Sequence, residues 1–222
     1  MRGHLVLLAA SVAAIGLAAP PAQGQQGQAA PMTFFVTSTD QSGNFGGLTG
    51  ADALCQKLAT AAGAGGRTWR AYLSTQGPNA VNARDRIGSG PWHNAKGVQV
   101  AANVADLHGD NERDRNYLFH ETALDERGNE IPGRFRDTKA EPQNKHDILT
   151  GSTSLGRAYP AGEDMTCNNW TSAEAGSARL GHHDRSGGNT TSWNSAHNSK
   201  GCSLKAFNGT GGAGKIYCFA AK

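Results

Sequence analysis

The stretch "LTGADALCQKLATAAGAGGRTWRAYLST" (residues 48–75) decides the fold, because it joins a predicted helix to a predicted strand. Its first half repeats small and apolar residues at helical spacing, and its cysteine lies on that apolar face. Thr49 followed by Asp52 resembles a capping box, so we expect a helix from Gly50 to Ala62. Residues 68–74 alternate apolar and polar side chains, which is typical of a half-buried strand.

The rest of the chain adds strands at both ends and an irregular middle. "MTFFVTS" (residues 32–38) predicts a buried strand, and "IYCFA" (residues 216–220) predicts a closing strand. Regular signals are weak between residues 77 and 162, where we expect short strands and long surface loops. Terminal strands, a helix after the first strand and a long loop region together indicate an α+β fold.

The N-terminus has the pattern of a secretory signal. An apolar run over residues 5–19 is followed by two prolines and small residues, so residues 1–24 are predicted to be a signal peptide. Residues 25–31 are predicted to be a short disordered tether, and residues 32–222 a single domain. The run is shorter than the roughly 20 residues of a membrane span, so we expect a secreted or periplasmic protein with no membrane span.

The charge of the chain is nearly balanced. The full sequence of 222 residues has a formal net charge of +3. Removing the signal peptide, whose single charge is Arg2, leaves 20 basic and 18 acidic residues and a net charge of +2. Such a small surplus argues against nucleic acid as the main partner.

Four cysteines, all outside the signal peptide, predict two disulfides in an oxidising compartment. Counting alone leaves three connectivities open. Cys55 lies on the apolar helix face and Cys218 on the inner face of the last strand, whereas Cys167 and Cys202 lie in polar, turn-rich sequence. This difference favours the nested pairs Cys55–Cys218 and Cys167–Cys202.

Several motifs resemble those of endostatin, the C-terminal domain of a collagen, and they recur in the same order. They are the Gly-Ala-Asp and helical cysteine at residues 50–55, "RAYLS" at residues 70–74, "CNNWTS" at residues 167–172 and the closing "IYCFA". The chain also resembles bacterial secreted proteins of the same C-type-lectin-like superfamily through "KHDILTGS", "GHHDRSG" and "SWNSAH". The resemblance implies an endostatin-like, C-type-lectin-like fold with nested disulfides and a lectin-like function.

The loop region between Cys167 and Cys202 is the predicted ligand site, because loops on a rigid scaffold commonly carry binding residues. Planar amides, carboxylates and aromatic faces match sugar hydroxyls and C–H groups, so a glycan or glycoconjugate is the expected ligand. The candidate ligand-binding residues are Asp184, Trp193, Asn194, His197, His182 and Trp170. The alternative interpretation is structural: the two tryptophans fill the loop core, and Asn194 and His197 bond to the backbone.

Metal binding and catalysis are less favoured by the sequence. The N-terminal histidine cluster of endostatin is missing, and the later histidines match no standard zinc spacing, so we predict no cofactor and no tightly bound zinc. Weak calcium candidates are Glu141, Asn144 and Asn194. With no recognisable catalytic motif, the chain is predicted to be non-enzymatic. A protein- or matrix-binding module is the first alternative, and a metal-assisted hydrolase using Asp184 is a distant one.

Overall fold

The computed structural model describes residues 1, 3, 29–110, 115–134, 143–187 and 190–221. Apart from residues 1 and 3, the predicted signal peptide lies outside the described residues, and so do residues 25–28 of the predicted tether. Among the described residues, no helix is long and apolar enough to cross a membrane.

The chain is a mixture of short helices and strands, as the α+β prediction requires. The elements in chain order are β1 (Phe34–Val36), α1 (Gly47–Ala61), β2 (Trp69–Ala71), a 3-10 turn (Ala83–Asp85), β3 (Trp92–His93), β4 (Gln99–Ala101), α2 (Val104–His108), β5 (Asp147–Leu149), α3 (Cys167–Trp170), β6 (Arg179–His182), β7 (His197–Asn198), α4 (Leu204–Asn208) and β8 (Gly212–Ala220).

Strand β8 organises the main sheet, whose order is β1-β8-β5-β6-β7. It pairs antiparallel with β1 and β2 and parallel with β5, and β5, β6 and β7 continue the sheet antiparallel. Strands β3 and β4 form a separate two-stranded sheet. The sequence pattern located the C-terminal half of β8, while its glycine-rich first half, which pairs with β5, carried no strand signal.

The central strand β8 is buried on both faces from Gly212 to Phe219. Ile216 and Cys218 of β8 pack with α1 in one core cluster. Tyr217 and Phe219, on the opposite face of the same strand, pack in the second cluster. The alternation predicted for the closing strand is therefore confirmed.

Helix α1 begins three residues before the predicted start, and the capping-box prediction is wrong. Gly46 and Gly47 open the helix in the left-handed region, with φ of 78° and 75°, and no side chain caps it. Asp52 is buried and accepts hydrogen bonds from Arg70 and Arg86, each at 2.6 Å. The carboxylate thus ties α1 to the following strand.

Both predicted disulfides are present. Cys55 of α1 bonds to Cys218 of β8, and Cys167 bonds to Cys202. The second disulfide closes the region that was predicted to carry the ligand site. Element α3 at its start is a single left-handed turn, since all four of its residues have φ between 47° and 66°.

Candidate metal centre

Four of the six predicted ligand-binding residues are buried in the protein interior, namely Trp170, His182, Trp193 and Asn194. Trp170 and Trp193 are about 99–100% buried, with relative exposures of 0% and 1%, and Asn194 is 1% exposed. The indole nitrogen of Trp170 donates to the Ser74 carbonyl at 2.7 Å. The burial of Trp170, Trp193 and Asn194 fits the structural alternative, because each side chain fills the core or satisfies a buried partner there.

Asn194 has a well-defined structural role. Its amide nitrogen donates to the Tyr72 hydroxyl at 2.9 Å and to the carbonyls of Thr153 and Ser154 at 3.3 and 3.1 Å. Its amide oxygen accepts from the Ser192 hydroxyl at 3.0 Å. The amide is therefore engaged within the protein rather than available to calcium.

The other two calcium candidates give no further support to a calcium site. The Asn144 amide oxygen accepts from the backbone nitrogen of His146 at 3.2 Å. Glu141 lies outside the described residues.

The sheet register gathers a different set of side chains at one end of β5, β6 and β7. Asp147 lies directly opposite His182 in the antiparallel β5–β6 pair. His197 lies opposite Leu180, which is two residues from His182 and so shares its face. Asp147, His182 and His197 consequently point to one face, and His146 precedes Asp147 at the start of β5.

Three imidazole nitrogens surround one carboxylate oxygen. The Nε2 atoms of His146, His182 and His197 lie 3.2, 3.4 and 3.3 Å from Asp147 Oδ1. The rings of His146 and His182 are stacked, with centroids 4.2 Å apart. The ligand atoms of His146, Asp147 and His182 all lie within 4.8 Å of one another, a spacing that suits a shared metal ion.

Hydrogen bonds on the far side of two rings fix which nitrogen keeps its lone pair. His146 Nδ1 lies 3.1 Å from Asp184 Oδ1, and His197 Nδ1 lies 3.1 Å from the Asn198 carbonyl oxygen. Both acceptors can only accept, so Nδ1 donates in each case and Nε2 of a neutral ring presents its lone pair to Asp147. Metal-binding histidines are typically oriented by such second partners.

Asp184 is an orienting group in this arrangement. Its Oδ1 also accepts from the backbone of Ser186 at 3.0 Å, and its Oδ2 accepts from the Ser186 hydroxyl at 2.6 Å and from the Arg134 backbone at 2.8 Å. Burial would raise the pKa of Asp184, but these hydrogen bonds and that from His146 hold the pKa far below its ordinary value. With both oxygens engaged, Asp184 stays ionised and holds His146 in place.

The centre is buried and its polar atoms lack partners. Asp147 is 1% exposed and His182 is 3% exposed. Apart from the imidazole contacts to Asp147 Oδ1, neither the Asp147 carboxylate nor the His182 ring has a hydrogen-bond partner within the described part of the chain. Buried polar groups are rarely left unsatisfied, so an arrangement of this kind calls for a bound species that the side chains share.

The electrostatics favour a cation between these groups. Burial would raise the pKa of Asp147, yet His182, His197 and His146 hold the pKa below its ordinary value. Contact with Asp147 in turn raises the pKa of His197. Because lone pairs of neutral rings would otherwise face an anionic oxygen, a proton or a metal ion must lie between them.

A second histidine pair lies behind Asp184. The rings of His120 and His183 are stacked with centroids 5.8 Å apart, and both side chains are buried. Burial lowers the pKa of His183 to about 3, so this ring is neutral at physiological pH. His120 Nε2 lies 3.2 Å from Glu130 Oε2.

Glu130 also borders a cleft of about 800 Å³ on the protein surface. The cleft is lined mostly by polar and charged residues. They include Ser38, Thr39, Lys96, Asp125, Asn129 and Lys215.

The sequence predicted only part of this histidine and aspartate cluster. His182, His197 and Asp184 are among the candidate ligand-binding residues of the sequence, whereas His146 and Asp147 are not. The available signal was the His-Asp pair at residues 146–147, placed where an apolar strand begins. No protein-family model matches this chain, and no curated protein matches it.

Proposed function

We propose that this protein is a secreted, non-enzymatic binding module of the C-type-lectin-like class, centred on a zinc-type metal ion. The proposed ligands are His146, Asp147 and His182, whose donor atoms all lie within 4.8 Å of one another, and His197 lies beside them, 3.3 Å from Asp147 Oδ1. The observation that carries the proposal is the convergence of three Nε2 atoms at 3.2–3.4 Å on one buried oxygen of Asp147.

The distances fit tetrahedral coordination. Zinc–nitrogen and zinc–oxygen bonds are about 2.0–2.1 Å long, so two ligand atoms of a tetrahedron lie about 3.3–3.4 Å apart. Six-coordinate geometry with the same bonds would bring adjacent ligand atoms to about 2.8–3.0 Å. The separations of 3.2 and 3.4 Å that join Asp147 Oδ1 to His146 and His182 match the tetrahedral edge.

The kinds of donor atom also favour zinc over calcium. Calcium takes six to eight oxygen ligands, whereas imidazole nitrogen with a carboxylate suits zinc and its neighbours in the first transition row. This reverses the expectation of no tightly bound zinc, which considered only the N-terminal cluster and linear spacing. The ligands come from the start of β5 and from β6, which are distant in the sequence, so no linear motif describes them.

A glycan or glycoconjugate is the partner we propose for the module. Two disulfides suit an oxidising compartment, and the near-neutral sequence offers no strong attraction to nucleic acid. Metal ions and polar clefts both bind oxygen donors, which sugars supply in quantity.

Binding of a glycan, protein or matrix component without metal is the second candidate. The observation that favours it is the polar cleft beside Glu130, which is lined by residues outside the metal cluster. A metal-assisted hydrolase is less favoured, because both oxygens of Asp184 are engaged in holding His146 and neighbouring backbone.

Metal analysis combined with a glycan array tests these functions. Protein purified without chelators should carry close to one equivalent of zinc, and His182→Ala should carry almost none. His93→Ala is the matched control, because His93 lies in the separate sheet of β3 and β4. If neither wild type nor His93→Ala carries zinc after purification, the proposed centre is refuted.

The array should give signals that a chelator removes and zinc restores. Glycan signals that survive the chelator would instead place recognition in the polar cleft. A silent array, with a protein captured from extracellular matrix, would support the protein-binding alternative.

A further inference from the structure

Two aromatic side chains lie exposed on a short segment beside the predicted ligand loop. The side chains of residues 115–121 alternate between exposed and buried. Leu118 and His120 face the interior, whereas Tyr117 and Phe119 are 59% and 37% exposed. Because side chains two residues apart in an extended segment point the same way, the two rings share one face. We call this pair the aromatic strip.

The two rings of the aromatic strip pack against each other and against an arginine. The ring centroids of Tyr117 and Phe119 are 5.4 Å apart, and the ring planes meet at 75°. The Arg185 guanidinium carbon lies 5.2 Å from the Phe119 centroid, within the range of a cation–π contact. Arg185 directly follows Asp184, which orients His146 in the metal centre. The aromatic strip therefore adjoins the loop that carries part of the candidate site.

Hydrogen bonds hold the backbone of the aromatic strip in place. The Tyr117 backbone nitrogen donates to the Val100 carbonyl at 2.7 Å, and the Thr122 hydroxyl donates to the Tyr117 carbonyl. The Phe119 backbone nitrogen donates to Thr122 Oγ1 at 3.0 Å. A surface that is already ordered loses less conformational entropy on binding, which favours recognition by these rings.

The exposed area of the aromatic strip suits a small ligand. A fully covered aromatic side chain buries about 150–250 Å², so exposures of 59% and 37% leave roughly 140–240 Å² for contact. A standard protein interface covers about 800 Å² on each partner. The aromatic strip is therefore too small for the core of a protein interface, and it matches a ligand of one or two rings.

The chemistry of the aromatic strip points to a sugar among such ligands. An aromatic face attracts the C–H groups of a sugar ring, and the Tyr117 hydroxyl offers a hydrogen bond at the rim. Nucleic acid bases also stack on aromatic rings, but the nearly balanced charge of the chain gives little attraction to a phosphate backbone. β-Linked glucose presents C–H bonds on both faces, because all of its hydroxyls are equatorial.

We propose that Tyr117 and Phe119 form a stacking subsite for a sugar ring whose faces are free of axial hydroxyls, as in β-linked glucose. This inference rests on the glycan partner of the proposed function and names the surface and the class of sugar. The subsite supplies the exposed aromatic face that the buried Trp170 and Trp193 do not offer.

Calorimetric titration tests the subsite with two probes, a β-linked glucose tetrasaccharide and an α-linked mannose tetrasaccharide. Each is titrated into zinc-loaded wild type, Tyr117→Ala, Phe119→Ala and Tyr117→Phe. The matched control is Leu155→Ala, which removes an exposed apolar side chain from the turn at residues 153–157. Circular dichroism of each variant shows that folded proteins are compared.

Wild type should bind the glucose probe more tightly than the mannose probe. Each alanine change in the aromatic strip should weaken glucose binding roughly threefold to tenfold, because one stacking ring is lost. Tyr117→Phe keeps the ring, so its affinity should stay within about twofold of wild type, as should that of Leu155→Ala.

Three results would overturn the subsite. They are a wild type that does not bind the glucose probe, a preference for the mannose probe, and unchanged affinity in folded Tyr117→Ala and Phe119→Ala. An equal loss of affinity in Leu155→Ala would also remove the special role of the aromatic pair.

Failure of the metal centre has a separate signature. Wild type would then carry no zinc, yet it would bind the glucose probe and lose affinity in Tyr117→Ala, which supports the subsite alone. Binding that a chelator removes but that both alanine variants retain would support the metal-dependent module and refute the subsite.

Discussion

Replacing Asn194 by alanine tests the structural role that the fold gives to this residue. The change removes the donor to the Tyr72 hydroxyl and to two carbonyls, and the acceptor of the Ser192 hydroxyl. Tyr72 keeps its 2.7 Å contact with His108, so its hydroxyl is not left alone. The remaining groups lose a partner in a site where Asn194 is 1% exposed.

The expected cost follows from the number of buried groups that lose a partner. A buried polar group left unsatisfied costs about 1–3 kcal/mol, and partial relaxation of the two carbonyls brings the total to roughly 2–4 kcal/mol. For a domain of this size, 1 kcal/mol shifts the melting temperature by about 2–4 °C. We therefore expect Asn194→Ala to melt roughly 5–15 °C below wild type.

Thermal unfolding and zinc content are measured on the same samples, with Asn198→Ala as the control. Asn198 is an amide in β7 that is only half-buried; it donates to Glu163 at 3.4 Å and accepts from Arg179 at 3.1 Å, and since these groups are partly exposed its loss should cost less. Asn194→Ala should keep its zinc, since Asn194 is not one of the proposed ligands. A melting temperature equal to that of Asn198→Ala would refute the structural role of Asn194.

Three further predictions concern the metal, the sheet and acid stability. Chelation should lower the melting temperature, and zinc but not calcium should restore it; equal recovery with calcium would contradict the nitrogen-rich site. In Gly212→Ala the new Cβ would meet the Cβ of Asp147 at 3.0 Å, so zinc affinity should fall severalfold in a titration; unchanged affinity would contradict the packing of β8 beside the centre. Although burial alone would raise it, the pKa of Asp40 lies below its ordinary value because Lys215 pairs with it. The folded pKa is thus below the unfolded one, so the stabilisation present at neutral pH is lost as the pH falls below about 4. When the melting temperature is plotted against pH, its fall at acidic pH should be shallower in Asp40→Asn than in wild type. Parallel profiles would contradict this pairing.

Local patterns predicted the parts of the fold that depend on one face of one element. Cys55 lies on the apolar face of a helical pattern, and Cys218 lies on the inner face of a strand pattern. Both were therefore predicted to face the core, where they form a disulfide. The same logic placed Ile216 and Tyr217 on opposite faces of β8. Patterns of this kind predict burial well, because a whole face of a helix or strand is buried together.

The start of α1 shows how tertiary contacts override a local pattern. Asp52 had the spacing of a cap, but two arginines, Arg70 and Arg86, compete for its carboxylate. An ion pair formed across elements is invisible in a helix-start pattern. Glycines at residues 46 and 47 set the helix start instead.

The candidate site was only partly predictable because its residues meet through strand register. Nothing local relates Asp147 to His197, which are 50 residues apart in the chain. Trp193 and Asn194 have the chemistry of a sugar site, but residue type does not reveal burial, and both face the core. The pairing of β5 with β6, which places Asp147 opposite His182, cannot be read from the local sequence.

X-ray absorption at the zinc edge tests the central claim most directly. Zinc-loaded wild type should show one ion per chain in a four-coordinate shell of nitrogen and oxygen at about 2.0–2.1 Å, with the outer-shell pattern of imidazole rings. His182→Ala should lose both the ion and that pattern. A six-coordinate shell of oxygen alone, or a chain that binds no zinc after dialysis, would contradict the account.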